Sequence, residues 1–237
     1  MSKLPILMYH SVSTSDAESR GLTISTSNFE AQLKFLQSKG FQSFHFKDLE
    51  HLKSLPKRSI VITFDDVYVN QLELAVPLLK QYGFKACFYV PFKYVNGKND
   101  WDEGEKQIMS LEQLQSLDSE IIELGMHSFA HGNYKNMSLE ASAEDLKKSK
   151  EFIEASGLKI YRTLAYPYGK YPTSNPEKDS FFKLLQNNNI KYGLRIGNRV
   201  NRFPFKNAYE IQRIDIKGED TLAKFKLKLR FGKLKLF

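Results

Sequence analysis

The sequence predicts an α/β protein of a single domain, folded as an irregular or incomplete (β/α) barrel. Three observations carry this. The 237 residues suffice for one large core. Short β-branched apolar runs such as residues 60–64 (IVITF) have the character of strands covered on both faces of a parallel sheet. Helix-period segments lie between such runs, several of them stopped by glycine. Alternating strands and helices over this length point to a barrel, and in such folds chemistry collects at the carboxyl ends of the strands.

The elements follow in order. Phe29, Leu33 and Leu36 share one helical face after Ser27 and Asn28, and Gly40 stops that helix. The run at 60–64 is a strand; Leu72, Val76 and Leu79 mark a helix closed by Gly83, and residues 86–90 (ACFYV) form another buried strand. Ser110 and Gln113 make a capping box for a helix expected to end before Gly125. Ser138 opens a helix that runs through Leu146 and Ile153 towards Gly157. A strand over 160–166, a loop rich in Pro, Tyr and Gly, a helix near 177–187 and strands near 191–196 and 211–216 complete the pattern. No repeat, low-complexity stretch or linker divides the chain, so residues 1–237 read as one domain with a basic tail at 224–237.

Composition removes several classes. At 41% hydrophobic and 26% charged the chain is that of an ordinary globular protein. One cysteine rules out an internal disulfide framework, and the apolar surroundings of Cys87 predict a buried, inert thiol. No run approaches the roughly 18 apolar residues of a membrane span. The first ten residues show no small-residue cleavage site, so action in the cytoplasm is expected. Of the formal net charge of +8, six cations and no acid lie in residues 224–237, which leaves the rest nearly neutral. Charge so confined, without base-stacking motifs elsewhere, predicts no nucleic-acid partner. In that tail Phe225, Leu227, Leu229 and Phe231 alternate with Lys226, Lys228 and Arg230, a period of two that suits a strand or surface-lying segment better than a helix. A peripheral contact with anionic membrane at its inner face is the partner this charge suggests.

Two strand ends carry residues suited to chemistry. The run at 60–64 ends in Asp65 and Asp66, adjacent carboxylates that repel unless they share a cation or a proton. One could be a helix N-cap, and the pair alone fits a magnesium phosphatase or a capped turn equally well. His127 and His131, directly after Gly125, stand at i and i+4 and so are expected on a helix face or its first turn. Neutral imidazoles placed in this way hold transition metals, whereas His127 alone would read as a core histidine. One carboxylate of the Asp pair would complete a two-His, one-carboxylate set with open coordination positions, leaving the other as general base.

Thr63-Phe64-Asp65-Asp66, His127-Ser128-x-x-His131 and Tyr166-Pro167-Tyr168-Gly169 occur in the order seen in one enzyme family. In these motifs the chain resembles the polysaccharide deacetylases, the carbohydrate esterase family 4 group that shares the NodB homology domain. The likeness continues between the motifs, at residues 78–90 and in the segment before His127. The opening Pro5-Ile6-Leu7-Met8-Tyr9-His10-Ser11-Val12, followed by residues 29–49, is similar to the branch that holds the biofilm poly-N-acetylglucosamine deacetylases. The match covers nearly the whole chain, residues 4–225.

The resemblance implies a divalent metal held by Asp66, His127 and His131, zinc first, with nickel, cobalt or iron as alternatives. It makes Asp65 the base that deprotonates the attacking water. The oxyanion would be met by the metal and the backbone N–H of Tyr168, with Pro167 in the same substrate loop. The family's late Leu-x-His motif, source of the acid, is absent after His131. In the similar branch that motif is permuted to the N-terminus, and Leu7-Met8-Tyr9-His10 fits it, which makes His10 the general acid. Two positions depart from the pattern: Val67 replaces a usual Gly, and Ala165 replaces the Arg that orients the catalytic Asp. Arg162 or Arg213 could substitute, although Arg213 with Asp215 reads by default as a structural ion pair. His45 and His51 match no motif and read as surface or loop residues. Tyr9, Tyr68, Trp101, Tyr134 and Tyr171 are candidates either for stacking on sugars or for the barrel core. The implied function is metal-dependent removal of an N-acetyl group from a sugar in a polysaccharide or a lipid- or nucleotide-linked precursor. The alternatives are a non-catalytic carbohydrate-binding relative and a metal-dependent hydrolase of another C–N bond or an O-acetyl ester.

Overall fold

The computed structural model describes residues 2–102 and 104–232. In chain order these form β1 (Ser2–Leu4), β2 (Ile6–Tyr9), β3 (Ser11–Ser13), β4 (Thr23–Ser25), α1 (Thr26–Ser38), β5 (Gln42–Ser43) and α2 (Phe46–Leu49). There follow β6 (Ser59–Asp65), α3 (Val76–Tyr82), β7 (Ala86–Val90), α4 (Leu111–Gln115), β8 (Ile122–Met126), α5 (Leu139–Ser156) and β9 (Ile160–Ala165). The last are α6 (Glu177–Asn187), β10 (Tyr192–Ile196), β11 (Asn201–Phe203), β12 (Ile211–Asp215) and α7 (Leu222–Phe231).

Seven strands run parallel in the order β2-β12-β10-β9-β8-β7-β6, and β6 pairs back onto β2, from Ile6 opposite Val61 to Tyr9 opposite Phe64. The sheet is therefore a closed barrel, one strand short of a regular eight-stranded one. Period-two alternation along the strands separates two cores. Ile60, Ile62, Phe64, Phe88 and Val90 pack outward against Phe29, Leu33 and Leu79. Val61, Cys87, Tyr89, Ala165, Leu194 and Ile211 belong to a second, axial cluster. The same parity turns Thr63 and Asp65 of β6, and Arg213 of β12, towards the axis.

The amino-terminal end of the barrel is plugged. The antiparallel pair β1–β11 and the side chains of Phe46, Leu49 and Leu55 join the axial core there. Glu123 of β8 reaches down to this plug, and its carboxylate accepts the N–H groups of Phe46 at 2.9 Å and Lys47 at 3.0 Å. Cys87 is buried beside it, and burial together with the Glu123 charge pushes the thiol up, as expected of an inert cysteine.

Three expectations need correction. The Ser110–Gln113 capping box forms, but its helix stops at Gln115, and residues 122–126 are strand β8. That strand escapes a search for apolar runs because its inward positions are Glu123 and Gly125, and a Cβ on Gly125 would lie 2.5 Å from both Thr163 Oγ1 and the Tyr89 ring. His45 is fully buried at the start of α2, with Nε2 3.1 Å from the Ile121 carbonyl oxygen, and is no surface residue; His51 is exposed as expected. The tail is a helix rather than a strand. Thr221 caps α7 by accepting the Lys224 N–H, and Phe225, Lys228 and Leu229, at helical spacing, face inward. Lys228 occupies the buried face because its ammonium bonds Asp220 and the Asp215 carbonyl oxygen. A cation on the apolar face is what gives the segment its misleading period of two. The remainder of the basic tail, residues 233–237, lies outside the described residues. Among the described residues no helix is long and apolar enough to cross a membrane.

Candidate active site

The carboxyl ends of β2, β6, β8 and β9 deliver His10, Asp65 and Asp66, His127, and Tyr168 to one mouth of the barrel. With His131 they line a cavity of about 350 Å³.

Asp65 is fixed first. Arg213, fully buried, donates from its two terminal nitrogens to Asp65 Oδ1 at 2.5 Å and Oδ2 at 2.8 Å. The fork geometry matches a carboxylate bidentately. Burial opposes ionisation of Asp65 most strongly, but the charge and hydrogen bonds of Arg213, together with His127 and His10, outweigh it and hold the carboxyl below the usual carboxylate range. Arg213 thus fills the orienting role left open by Ala165. Arg162 instead pairs with Glu50 at 2.9 Å on the outer surface, and Asp215, the expected partner of Arg213, pairs with Lys217 at 3.1 Å.

Asp66 and Val67 both adopt positive φ, 74° and 46°. Where the family pattern has glycine, a buried valine is held in the left-handed region, its carbonyl accepting the Met109 N–H at 2.9 Å. Asp66 itself donates its N–H to Tyr89 O at 3.1 Å, which aims its carboxylate across the barrel mouth.

The two histidines sit on a loop, not on a helix as the i, i+4 spacing suggested. Ser128 and His131 take φ of 62° and 54°, and the turn is stapled by Asp145 of α5. That carboxylate accepts the N–H groups of Phe129 at 3.1 Å and Ala130 at 3.3 Å and the Tyr134 hydroxyl at 2.6 Å. His127 Nδ1 donates to the Ala165 carbonyl oxygen at 2.7 Å, which leaves Nε2 as the free lone pair. Burial pushes His127 down to about 4, so the imidazole is neutral at neutral pH. Asp66 Oδ1 then lies 3.5 Å from His127 Nε2 and 3.4 Å from His131 Nε2, the three groups converging within 4.8 Å. Asp66 Oδ1 is buried without a hydrogen-bond partner. Two imidazole nitrogens around an orphaned carboxylate oxygen repel one another unless a cation joins them, and this donor set fits zinc or a similar divalent ion.

His10 stands at the cavity edge with Nε2 3.7 Å from Asp65 Oδ2. Gln71, fully buried, ties these two strand ends together: its amide donates to His10 O at 2.8 Å and Asp65 O at 2.6 Å. Neither Gln71 nor Asp145 stands out in the sequence, and only their polarity on otherwise buried helix faces could have signalled them. Trp101 stacks on the His131 ring at 4.2 Å, and Tyr168 meets that ring edge-on at 4.8 Å. Tyr168 has φ 59° and is 49% exposed. Pro167 is buried just before it and is not among the side chains on the cavity wall. Of the candidate aromatics, Tyr68 and Trp101 line the cavity. Tyr9, Tyr134 and Tyr171 are structural, bonded to Gln32, Asp145 and Glu210.

Known proteins can be set beside this arrangement. Residues 52–190 match the family model for polysaccharide deacetylase, a stretch that includes the Asp, His and Tyr motifs but neither His10 nor Arg213. The protein YxkH of Bacillus subtilis, provisionally named a polysaccharide deacetylase, is 28% identical over 174 residues, 72% of this chain and 58% of that protein. The chain thus spans less than two thirds of that relative. The poly-β-1,6-N-acetyl-D-glucosamine N-deacetylase of Staphylococcus aureus (strain MRSA252) is 26% identical over 215 residues, 87% of this chain and 72% of that protein. Among solved structures, the Streptococcus pyogenes deacetylase PplD, in complex with acetate, shares the fold with a TM-score of 0.78 at 19% identity, covering 96% of this chain and 98% of that one. With the family model matched over more than half of its length, on the barrel described above, this chain belongs to the polysaccharide deacetylase family.

Proposed function

We propose that the protein is a metal-dependent carbohydrate deacetylase that hydrolyses the N-acetyl group of an N-acetylated sugar within a glycan. The observation that supports this most is the orphaned Asp66 Oδ1 between the Nε2 atoms of His127 and His131, beside a carboxylate held ionised by a buried arginine. A binding module needs no such base. The name of the staphylococcal relative supports an acetamide on glucosamine as the bond broken.

Asp66, His127 and His131 would hold the divalent cation, which when bound polarises the acetyl carbonyl and makes water more acidic. Asp65 takes the proton of the attacking water, and Arg213 keeps its carboxylate ionised and oriented to do so. The Tyr168 N–H donates to the oxyanion as the tetrahedral centre forms. His10 gives its proton to the leaving amine nitrogen, so that one water yields acetate and a free amino sugar. Gln71 holds acid and base at a constant separation.

The test is acetate release from N-acetylglucosamine oligomers by protein whose bound metal has been quantified, beside Asp65→Asn and His10→Ala. About one metal per chain, with release reduced some 10²–10⁴-fold in each variant, is expected. Full release from either variant removes that residue's role, and release by metal-stripped protein removes the metal's.

A further inference from the structure

The two histidines at the barrel mouth are oriented in different ways. His127 donates from Nδ1 to the Ala165 carbonyl oxygen at 2.7 Å, the kind of partner that ordinarily fixes the ring of a metal-ligating histidine. His131 Nδ1 is buried and has no hydrogen-bond partner among the described residues. The turn that carries it is held, since the Gly132 N–H donates to Ser128 Oγ at 2.9 Å. On the side away from Asp66, however, no hydrogen bond among the described residues sets the plane of the His131 ring.

Aromatic contacts take that place. The Trp101 indole stacks on the His131 ring with centroids 4.2 Å apart and planes 18° from parallel, while Tyr168 meets the same ring edge-on at 4.8 Å. Tyr94 in turn meets the indole at 4.6 Å in a T-shaped contact. Both partners of the stack belong to one braced unit. After β7, Lys93 donates its N–H to the Phe129 carbonyl oxygen at 2.8 Å and Phe92 donates to that of Ser128 at 3.4 Å, which ties this stretch to the histidine loop. The chain then folds back through a bridge between Lys98 and Gln107. Asn99, almost fully buried, fastens the fold-back: its side chain accepts the Lys106 N–H at 2.9 Å and donates to Tyr68 Oη at 3.4 Å. Gly104 is required by this closeness, since a Cβ there would stand 2.5 Å from Asn99 Nδ2. Trp101 follows that anchor by two residues, and the face it lays on His131 is closed to a sugar.

The contact also discriminates between two states of the imidazole. A ring that shares its lone pair with a divalent ion becomes electron-poor, and the electron-rich face of indole attracts such a group more strongly than a neutral ring. The stack is therefore tighter when His131 is a ligand than when it is not.

We propose that Trp101 is the positioning residue for His131 and that it raises the affinity of the site for a divalent cation. The inference rests on the reading of Asp66, His127 and His131 as the metal ligands, and it adds a residue that lies outside the motifs at 63–66, 127–131 and 166–169.

The test is zinc affinity, measured by competition with a chelator on metal-stripped protein, beside Trp101→Leu and Trp101→Phe. Trp101 is partly exposed, so these replacements leave the barrel core intact. A stacked ring pair corresponds to about 2- to 12-fold in affinity and a group that orients a ligand to about 10–100-fold, so Trp101→Leu should weaken zinc binding about tenfold, where the two ranges meet. Trp101→Phe keeps a ring face and should stay within about threefold of the native protein. Trp101 is the only tryptophan of the chain, so its fluorescence reports on the stack directly. Zinc should change that emission and saturate the change at the concentration the competition gives. Unchanged affinity in Trp101→Leu, an equal loss in both variants, or zinc binding that leaves the emission unaltered overturns the role of Trp101 while the ligand set stands. Failure of the native protein to bind zinc overturns the ligand set and this inference together.

Discussion

Arg213 of β12 grips both carboxylate oxygens of Asp65 of β6, at 2.5 and 2.8 Å, across a separation of 148 residues in the chain. The contact exists because the barrel closes β6 onto β2, with β12 pairing on the other side of β2. Thr63 Oγ1, 3.4 Å from the same guanidinium, and the Tyr89 ring complete its surroundings. Removal of either partner would leave a bare charge in the barrel axis.

Arg213→Met should therefore cost about 3–5 kcal/mol of stability, read from denaturant unfolding. It should lower kcat more than it raises KM, since in the proposed reaction the guanidinium orients the base and does not line the cavity. Arg213→Lys should recover some stability but little kcat, because an ammonium cannot grip both oxygens. An Arg213→Met protein with unchanged kcat would show that Asp65 needs no orienting partner.

The His127–His131 loop should respond to a residue that is not among the proposed metal ligands. Asp145→Ala frees the Phe129 and Ala130 N–H groups and the Tyr134 hydroxyl that now define the turn. Zinc affinity, measured by competition with a chelator, should fall by about 10–100-fold, as for other groups that orient ligands from behind. An unaltered affinity in a folded variant would mean that the loop holds its shape unaided.

Glu123 links stability to pH. Burial pushes its carboxyl up to about 7, from 4.5 in an open chain, so the folded state binds the proton more readily than the unfolded state. Its contribution is fully present below pH 4.5 and is lost as pH rises through about 7, up to about 3 kcal/mol. His45, which burial pushes down to about 4, acts in the opposite sense between that value and 6.5. The informative quantity is thus the difference in unfolding free energy between the native protein and Glu123→Gln. That difference should shift against the native protein from pH 4.5 to 8, and a flat difference would refute the raised pKa.

The tail distinguishes helix from strand by its own mutational pattern. Phe225 is fully buried whereas Leu227 is 46% exposed, although a strand would put both on one face. Phe225→Ala should cost about 3–5 kcal/mol in thermal or denaturant unfolding. Leu227→Ala should stay within about 0.5 kcal/mol. Comparable costs at the two positions would restore the period-two pattern.

Periodicity and short motifs are local, and what depends on them could be read from the chain. The runs at 60–64 and 86–90 became β6 and β7, and Gly83 and Gly157 end their helices with positive φ. The Asp65–Asp66, His127–His131 and Tyr168 segments were recognisable in the same way, as was His10 once the missing late motif was noticed. Spacing alone misled where a polar residue served the interior: Glu123 and Gly125 hid β8, Lys228 disguised α7, and an i, i+4 pair of histidines proved to lie on a loop shaped by Asp145.

The sequence by itself determined the strand–helix alternation and the residues that could do chemistry, because these follow from side-chain pattern over a few residues. Only the tertiary structure decided which arginine grips Asp65 and how Gln71 ties His10 to Asp65. Each of those depends on closure of the barrel, which sets inward against outward faces and brings together groups that no local spacing relates.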